Sequence, residues 1–416
     1  MGKAEKIPEG YRVTEAGILP VDWQVKRLNE VATELTERAG QGVYETVSIS
    51  AGIGFVNQAE KFGKELSGKQ YEKYIVLHKG DFSYNKGNSK IFPQGCIYRL
   101  NDREAAAVPN VFESFRIKEQ DADYYEQLFL SGFLNKQLYS KINHGVRDDG
   151  LLNLTGKDFY SCMVPVPPIG EQKKIAEILA QYDKVIDLKR KRIDSEKKYR
   201  QALLDELLYR PFRNRKWELA FVEEVASVFG RIGFRGYTKA DIVSAGQGAL
   251  SLSPSNIEDN VLKTTTGTYV TWEKYYESPE IMIQADDILF VKTGSTYGKC
   301  ARVNKISCAS TINPQLVIVR PQHINSIFLE KIFRSKIVQH RVEQIVVGGA
   351  VPTLTQEEIR KFVIPVPTLA EQVHISNVLD ALDRTIELLE KERTLWIIKK
   401  RALMQLLLTG TVRVKI

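Results

Sequence analysis

VPVPPIGEQKKIAEILAQYD (residues 164–183) and IPVPTLAEQVHISNVLDALD (residues 364–383) lie 200 positions apart in one chain. Eight of their 20 aligned pairs are identical: Pro165/Pro365, Val166/Val366, Pro167/Pro367, Glu171/Glu371, Gln172/Gln372, Ile175/Ile375, Leu179/Leu379 and Asp183/Asp383. Unrelated segments of ordinary composition would share roughly one or two. The chain therefore contains an internal repeat, which decides how the rest is divided. Leu154-Thr155 answers Leu354-Thr355 at the same offset. Downstream, Ile186/Ile386, Leu188/Leu388, Ala202/Ala402, Leu203/Leu403 and Leu207-Leu208/Leu407-Leu408 keep the register. Near the start of each half, DWQVKRLNEVA (22–32) resembles KWELAFVEEVA (216–226), here at an offset of 194.

Each Pro-Val-Pro stops whatever precedes it, because a proline pushes its predecessor into an extended conformation. Placed between a variable segment and a helix, it reads as a hinge. Glu171 and Glu371 then stand in the first turns of two helices, where a carboxylate suits the free backbone N–H groups. Positions 175, 179, 182, 186, 189, 193, 196, 200, 203 and 207, with their equivalents 375 through 407, are mostly apolar. Steps alternating four and three residues mark a coiled-coil seam, and the polar positions near its middle are placed to set register. A helix over 171–209 would be about 58 Å long at 1.5 Å per residue. One apolar stripe of that length needs a partner, and an antiparallel intramolecular pair with its own repeat is the natural closure. The segments between carry strand-like runs such as KYIVL (73–77), DILFV (287–291) and QLVIV (315–319), punctuated by Gly, Asn and Ser. The expected class is mixed α/β (α+β), with two globular domains, two long helices and a pseudo-two-fold repeat.

The chain has 416 residues, 43% of them hydrophobic, and a formal net charge of +8. That length supports about two to four domains, and the charge is compatible with a polyanionic partner. Cys96, Cys162, Cys300 and Cys308 form no C-x2-C pair, which argues for reduced thiols in a cytoplasmic setting rather than a zinc site or disulfide scaffold. No run of 18 apolar residues is present, and the first ten residues lack the apolar core of a signal peptide.

Motifs of catalysis are missing. GSTYGKC (294–300) has three residues between its glycines where a phosphate loop has four, and Cys300 where Ser or Thr would meet magnesium. It reads as a Gly-rich turn presenting Lys299. Asn313-Pro314-Gln315-Leu316 fails as a methylation motif at its third position, and HGVRDDG (144–150) only imitates an acid/base cluster. Signals for binding are richer. YNKGNSK (84–90) and VKTGSTYGK (291–299) each follow a strand, and GRIGFRGYTK (230–239) interleaves Arg and Lys with Phe and Tyr. Short donor-rich loops of this kind suit phosphates and base edges, with a solvated polar turn as the plain alternative. The stretch 184–200 holds eight basic and three acidic residues, so it is either a solvated face or the neighbour of an acidic partner.

The duplicated PVPPIGEQKKIAEIL (165–179) and PVPTLAEQVHISNVL (365–379), together with GILPVDWQVKRLNEV (17–31) and RKWELAFVEEV (215–225), resemble the specificity (S) subunit of type I restriction-modification systems. The resemblance spans nearly the whole chain. It implies target-recognition domains over 1–163 and 211–363, with connector-plus-spacer helices over 164–210 and 364–416. Each domain would read one half of a split, asymmetric site on double-stranded DNA, with the helices as a ruler for the spacer. The chain would be non-catalytic and without a cofactor. Two methyltransferase (M) subunits would bring S-adenosylmethionine chemistry, and restriction (R) subunits ATP- and magnesium-dependent cleavage. The recognition subunit of a type IIB-like system is the near alternative; a stand-alone nuclease or methyltransferase, or a scaffold without DNA readout, are the distant ones. From residue type and loop placement, the expected DNA contacts are Tyr84, Lys86, Asn88, Lys90 and Arg147 in the first domain. In the second they are Arg231, Arg235, Tyr237, Lys292, Ser295 and Lys299. Glu171, Gln172, Glu371 and Gln372 are expected to start the helices or meet partners.

Overall fold

A computed structural model of the chain describes residues 7–62, 68–87, 92–142, 152–214, 216–233, 236–346 and 353–415. It divides into two compact units, Met1–Arg190 with Lys391–Ile416, and Lys191–Glu390. Each unit holds one globular domain and half of each long helix.

In the first unit, β1 (Gln24–Arg27) leads through a helical turn into β2 (Ala32–Glu34). Then follow β3 (Phe82–Asn85), β4 (Cys96–Arg99), β5 (Glu113–Ile117), α1 (Ala122–Leu130), β6 (Met163–Val166) and the start of α2 (Ile169–Leu204). The central sheet has the order β2-β5-β3-β4, antiparallel throughout. Alternation in β3 and β5 sends Phe82, Tyr84 and Phe115 into the core, where Phe82 stacks on Phe115 at 5.4 Å and Tyr84 on Phe159 at 4.6 Å.

The second unit repeats this plan with β7 (Leu219–Phe221), β8 (Ala226–Gly230), β9 (Ile288–Val291), β10 (Cys300–Arg302), β11 (Leu316–Pro321), α3 (Ser326–Arg334), β12 (Val363–Pro365) and α4 (Leu369–Leu408). Its central sheet, β8-β11-β9-β10, has the same order and sense. A second four-stranded sheet is added, three of its strands from the long segment between β8 and β9 and the fourth, Ser310–Ile312, from between β10 and β11. Even the buried polar detail recurs. Asp81 is clamped by Arg116 at 2.6 and 2.9 Å, and Asp287 by Arg320 at 2.8 and 2.9 Å. Each carboxylate also accepts one backbone N–H, from His78 and Gln284 respectively, at 2.7 Å. A buried charge is tolerable here because a guanidinium and a backbone N–H together give each carboxylate three hydrogen bonds.

The two Pro-Val-Pro connectors are extended, as expected, but neither is a hinge. Each begins inside a strand of a two-stranded antiparallel ribbon, β6 ending at Val166 and β12 at Pro365: β6 pairs with β1 (Val164↔Lys26) and β12 with β7 (Ile364↔Ala220). A ribbon with two strands leaves the far edge unpaired, so a proline's missing N–H costs nothing there. Immediately after it, Gln172 is fully buried. Its amide donates to Pro167 O (2.8 Å) and Gln120 Oε1 (2.7 Å), and its carbonyl accepts the N–H of Asp121 (3.0 Å). Gln372 likewise donates to Pro367 O (2.9 Å) and accepts from the N–H of Asn325 (2.8 Å). Asp121 and Asn325 cap α1 and α3 with their side chains. The neighbouring glutamates accept indole N–H groups, Trp23 on Glu171 at 2.9 Å and Trp217 on Glu371 at 3.3 Å.

A cation closes each arrangement, and it comes from different places. Arg413, from the C-terminal tail, bonds Glu171 at 2.8 and 2.9 Å and Asp22 at 2.9 and 2.8 Å. On Glu371 the role falls to Lys216, from the chain that follows α2, at 3.4 Å.

The long helices run antiparallel within each unit, since their partners descend as residue numbers rise. In the first, Tyr182 meets Trp396, Asp183 binds Lys400 at 2.7 Å and Lys189 binds Glu392 at 2.7 Å. In the second, Lys197 binds Glu390 at 2.6 Å and Arg200 binds Asp383. Lys189, Arg200 and Lys400 are polar seam positions, so the interruptions in the apolar stripe are the ion pairs that fix register. Three cations of the basic 184–200 stretch thus meet acids of the other helix. Asp383 also accepts Lys331 at 2.9 Å. Burial alone would raise its carboxyl pKa, but the Arg200 hydrogen bond and the charges of Lys331 and Arg334 outweigh that and hold it at about 2. Among the described residues, no helix is long and apolar enough to cross a membrane.

Two stability predictions follow from these contacts. Gln372→Ala leaves a buried N–H and a buried carbonyl without partners, and should lower unfolding stability by about 2 kcal/mol in urea titrations. Asp383→Asn should cost about 2 kcal/mol at neutral pH. Because the folded pKa is depressed, that contribution exists above the unfolded value and fades as pH falls from about 4 to about 2. The gap between variant and parent should shrink across that window.

Candidate nucleic-acid interface

Each central sheet has two unlike ends. One end is held to the long helix, because β5 and β11 run into α1 and α3, whose capping residues are bound by Gln172 and Gln372. The loops at the other end are free to vary. In the second unit these are the segment after β8 beginning at Arg231, the turn 292–299 between β9 and β10, the turn 313–315 before β11, and residues 353–355. They are joined by Arg231 Nε to Ile312 O (3.0 Å), Lys292 N–H to Gln315 O (2.9 Å) and Leu354 N–H to Lys292 O (2.8 Å).

Several expected contacts sit at this end, with different availability. Lys86 and Lys292 are equivalent: each follows the third strand of its sheet, and each carbonyl accepts a leucine N–H, from Leu152 at 2.9 Å and Leu354 at 2.8 Å. Their side chains differ. Lys86 Nζ binds Glu113 at 2.8 Å, both side chains being largely buried. In register, Glu113 faces Tyr84, whereas Val317 faces Phe290. Lys292 therefore has a valine where Lys86 has a carboxylate, and among the described residues it makes no ion pair. Burial pushes its amine pKa down, so an approaching anion would restore what desolvation removes. Ser295 and Lys299 are exposed on the same turn. That turn is a hairpin with Gly294 and Gly298 at positive φ, not the strand-to-helix loop of a phosphate site.

Other expected contacts are corrected by burial. Tyr84 is a core residue: its ring is fully buried and its hydroxyl donates to Gln94 O at 2.8 Å. Burial also raises its pKa. Arg231 is buried too, donating to Ile312 O and Thr311 Oγ1 at 3.0 Å each, with its guanidinium 5.3 Å from the Tyr237 ring. Burial lowers its pKa. Tyr237 is half-buried and accepts from Ser251 at 3.0 Å. The Arg231–Tyr237 pair therefore shapes the loop rather than presenting free donors. Glu171, Gln172 and Gln372 are buried in the helix starts and offer a partner no surface. Asn88, Lys90, Arg147 and Arg235, with the HGVRDDG stretch, lie outside the described residues.

Aligning DFSYNKG (81–87) with DILFVKTG (287–294) was the signal available for the common frame. It was obscured because only the Asp, the Lys and a Gly agree. Asn313 and Gln315, in the sequence only a failed methylation motif, form the turn beside Lys292.

The chain matches a family described as the type I restriction modification DNA specificity domain over residues 20–196 and 237–395. The type I restriction enzyme MjaVIII specificity subunit of Methanocaldococcus jannaschii is 23% identical over 315 residues, 71% of this chain and 73% of that protein. Its MjaX counterpart is 23% identical over 432 residues, 98% of this chain and 97% of that protein. A solved chain from a study of complex assembly and conformational transition in a type I R-M system has a TM-score of 0.63 at 17% identity, covering 95% of this chain and 99% of its own. The type I S subunit of M. genitalium has a TM-score of 0.53 at 13% identity, covering 97% of each chain.

If the free sheet end meets DNA, Lys292→Ala should weaken binding and reduce the slope of log K against log salt by roughly 0.9, the share of one phosphate. Lys86→Ala should leave that slope unchanged and instead lower stability by about 1–3 kcal/mol, since Glu113 loses its partner. Affinity measured at several salt concentrations, beside thermal melts, separates the two.

Proposed function

The chain belongs to the type I restriction modification DNA specificity domain family, and on that premise we propose that its two domains read the two halves of a split, asymmetric DNA site. The observation that favours this reading is a frame built twice and loops built differently. Sheet order, the Asp–Arg clamp and the Gln-held helix start recur in both units, while side chains at the free sheet ends differ, Lys86 having Glu113 where Lys292 has Val317. A repeated frame presents two readers in the same way to their own helix segments. Unlike loops then give unlike half-sites.

The antiparallel helices serve as the ruler for the spacer between the half-sites. Their outer surface is the docking face for methyltransferase subunits. The equivalent residues Leu188 and Leu388 are exposed there, and a duplicated apolar contact suits two copies of one partner. S-adenosylmethionine, ATP and magnesium would reside on the methyltransferase and restriction subunits, leaving this chain to recognise and assemble.

Inserting seven residues, two coiled-coil turns, at matched positions of α2 and α4 adds about 10 Å. The spacer should then lengthen by about three base pairs at 34 Å per helical turn. Genome-wide mapping of methylated adenines should report the same half-sites further apart. Altered half-site bases at an unchanged spacing would sink the ruler.

A further inference from the structure

The shared frame singles out one position in each reader, and the argument rests on the reading above. Pro109-Asn110-Val111-Phe112 leads into β5, and Asn313-Pro314-Gln315-Leu316 leads into β11, whose first residue is Leu316. In both turns the fourth residue donates its N–H to the first residue's carbonyl, Phe112 to Pro109 at 3.1 Å and Leu316 to Asn313 at 3.2 Å. Strand register aligns Phe115 (opposite Phe82) with Val319 (opposite Ile288), which places Val111 and Gln315 at the same point of the frame. Both are exposed at the free sheet end.

Their chemistry is opposite. In the second reader, Asn313 Nδ2 donates to Gln315 Oε1 at 3.1 Å, and the N–H of Gln315 donates to Asn313 Oδ1 at 3.0 Å. Lys292 N–H holds the Gln315 carbonyl at 2.9 Å. The turn is thus fixed before anything binds. Among the described residues the Nε2 of Gln315 makes no hydrogen bond, and the carbonyl's second lone pair remains to accept one. Nε2 stands over Gly294, where a Cβ would lie 3.5 Å from it. A glutamine amide offers one donor and one acceptor to the N7 and N6 edge of adenine, and no other base presents that pair in the major groove. Lys292, without a carboxylate partner among the described residues, stands beside it for a phosphate. In the first reader, Lys86 is neutralised by Glu113, and Val111 presents two methyl groups, which match the C5-methyl of thymine.

We propose that the third residue of this turn is a specificity-determining position, Gln315 selecting an adenine in one half-site and Val111 a thymine in the other. The test is selection from a randomised duplex library by the chain assembled with its methyltransferase subunit. Gln315→Val should lose adenine preference at one position of one half-site, by roughly 5- to 100-fold, with the other half-site untouched. Val111→Gln should shift one position of the opposite half-site toward adenine. Both residues are exposed, so matching thermal melts of variants and parent check the fold. A parent complex that selects no split motif would overturn the proposed function itself. A parent that selects a split motif which Gln315→Val leaves unchanged would overturn this inference alone.

Discussion

Everything else in each unit is arranged around one buried glutamine. Gln172 and Gln372 each donate to the last carbonyl of a Pro-Val-Pro connector and accept from the residue that caps the domain's own helix. Only a side chain with a donor and an acceptor on one rigid amide can do both. A glutamate would lose the donor and bury a charge, while an apolar residue would strand an N–H and a carbonyl away from water. The glutamine therefore ties three things at one point: the strand that leaves the domain, the helix that closes it, and the first turn of the long helix. The glutamate beside it adds the entry segment through an indole N–H.

That tie determines where variation is tolerated. One end of each central sheet is committed to the helix start, and the carboxylates of Asp81 and Asp287 are committed to Arg116 and Arg320. The opposite end carries no such obligation, so loops there can differ in length and chemistry without disturbing the frame. Much of the chain's positive charge is also engaged. Cations of the long helices meet acids across the pair, and Lys86 meets Glu113. A net charge of +8 accordingly says little about where a polyanion binds. At the free sheet end the informative cation is Lys292, half-buried and without a carboxylate partner among the described residues.

The repeat and the periodicity were legible in the sequence because they rest on local rules. Proline restricts its own φ and its predecessor's, and a 3.5-residue apolar period requires a helix with a partner. The offset of 200 makes Asp183 equivalent to Asp383 and Arg200 to Lys400, and in the structure the acid of each helix meets the base of the other, Asp183 with Lys400 and Asp383 with Arg200. Three of the seam positions that break the stripe, Lys189, Arg200 and Lys400, carry ion pairs to the other helix. Reading Pro-Val-Pro as a hinge failed because nothing local reveals that the entry segment, more than 130 residues upstream, pairs with it as a strand.

The binding residues were the least legible part, and the reason is burial. Tyr84 and Arg231 have the right chemistry and the right loops, but whether a side chain faces solvent depends on strands distant in sequence. Tyr84 lies against Phe159, and Arg231 against Thr311 and Ile312. Lys86 and Lys292 look alike as letters and differ only because a neighbouring strand places Glu113 beside one and Val317 in the matching place of the other. A duplicated chain with two long partnered helices is readable from the residues alone, since those features follow from short-range sterics and periodic burial. Which polar side chains are structural and which are left to meet a ligand emerges only on folding, because that depends on what the fold packs around each one.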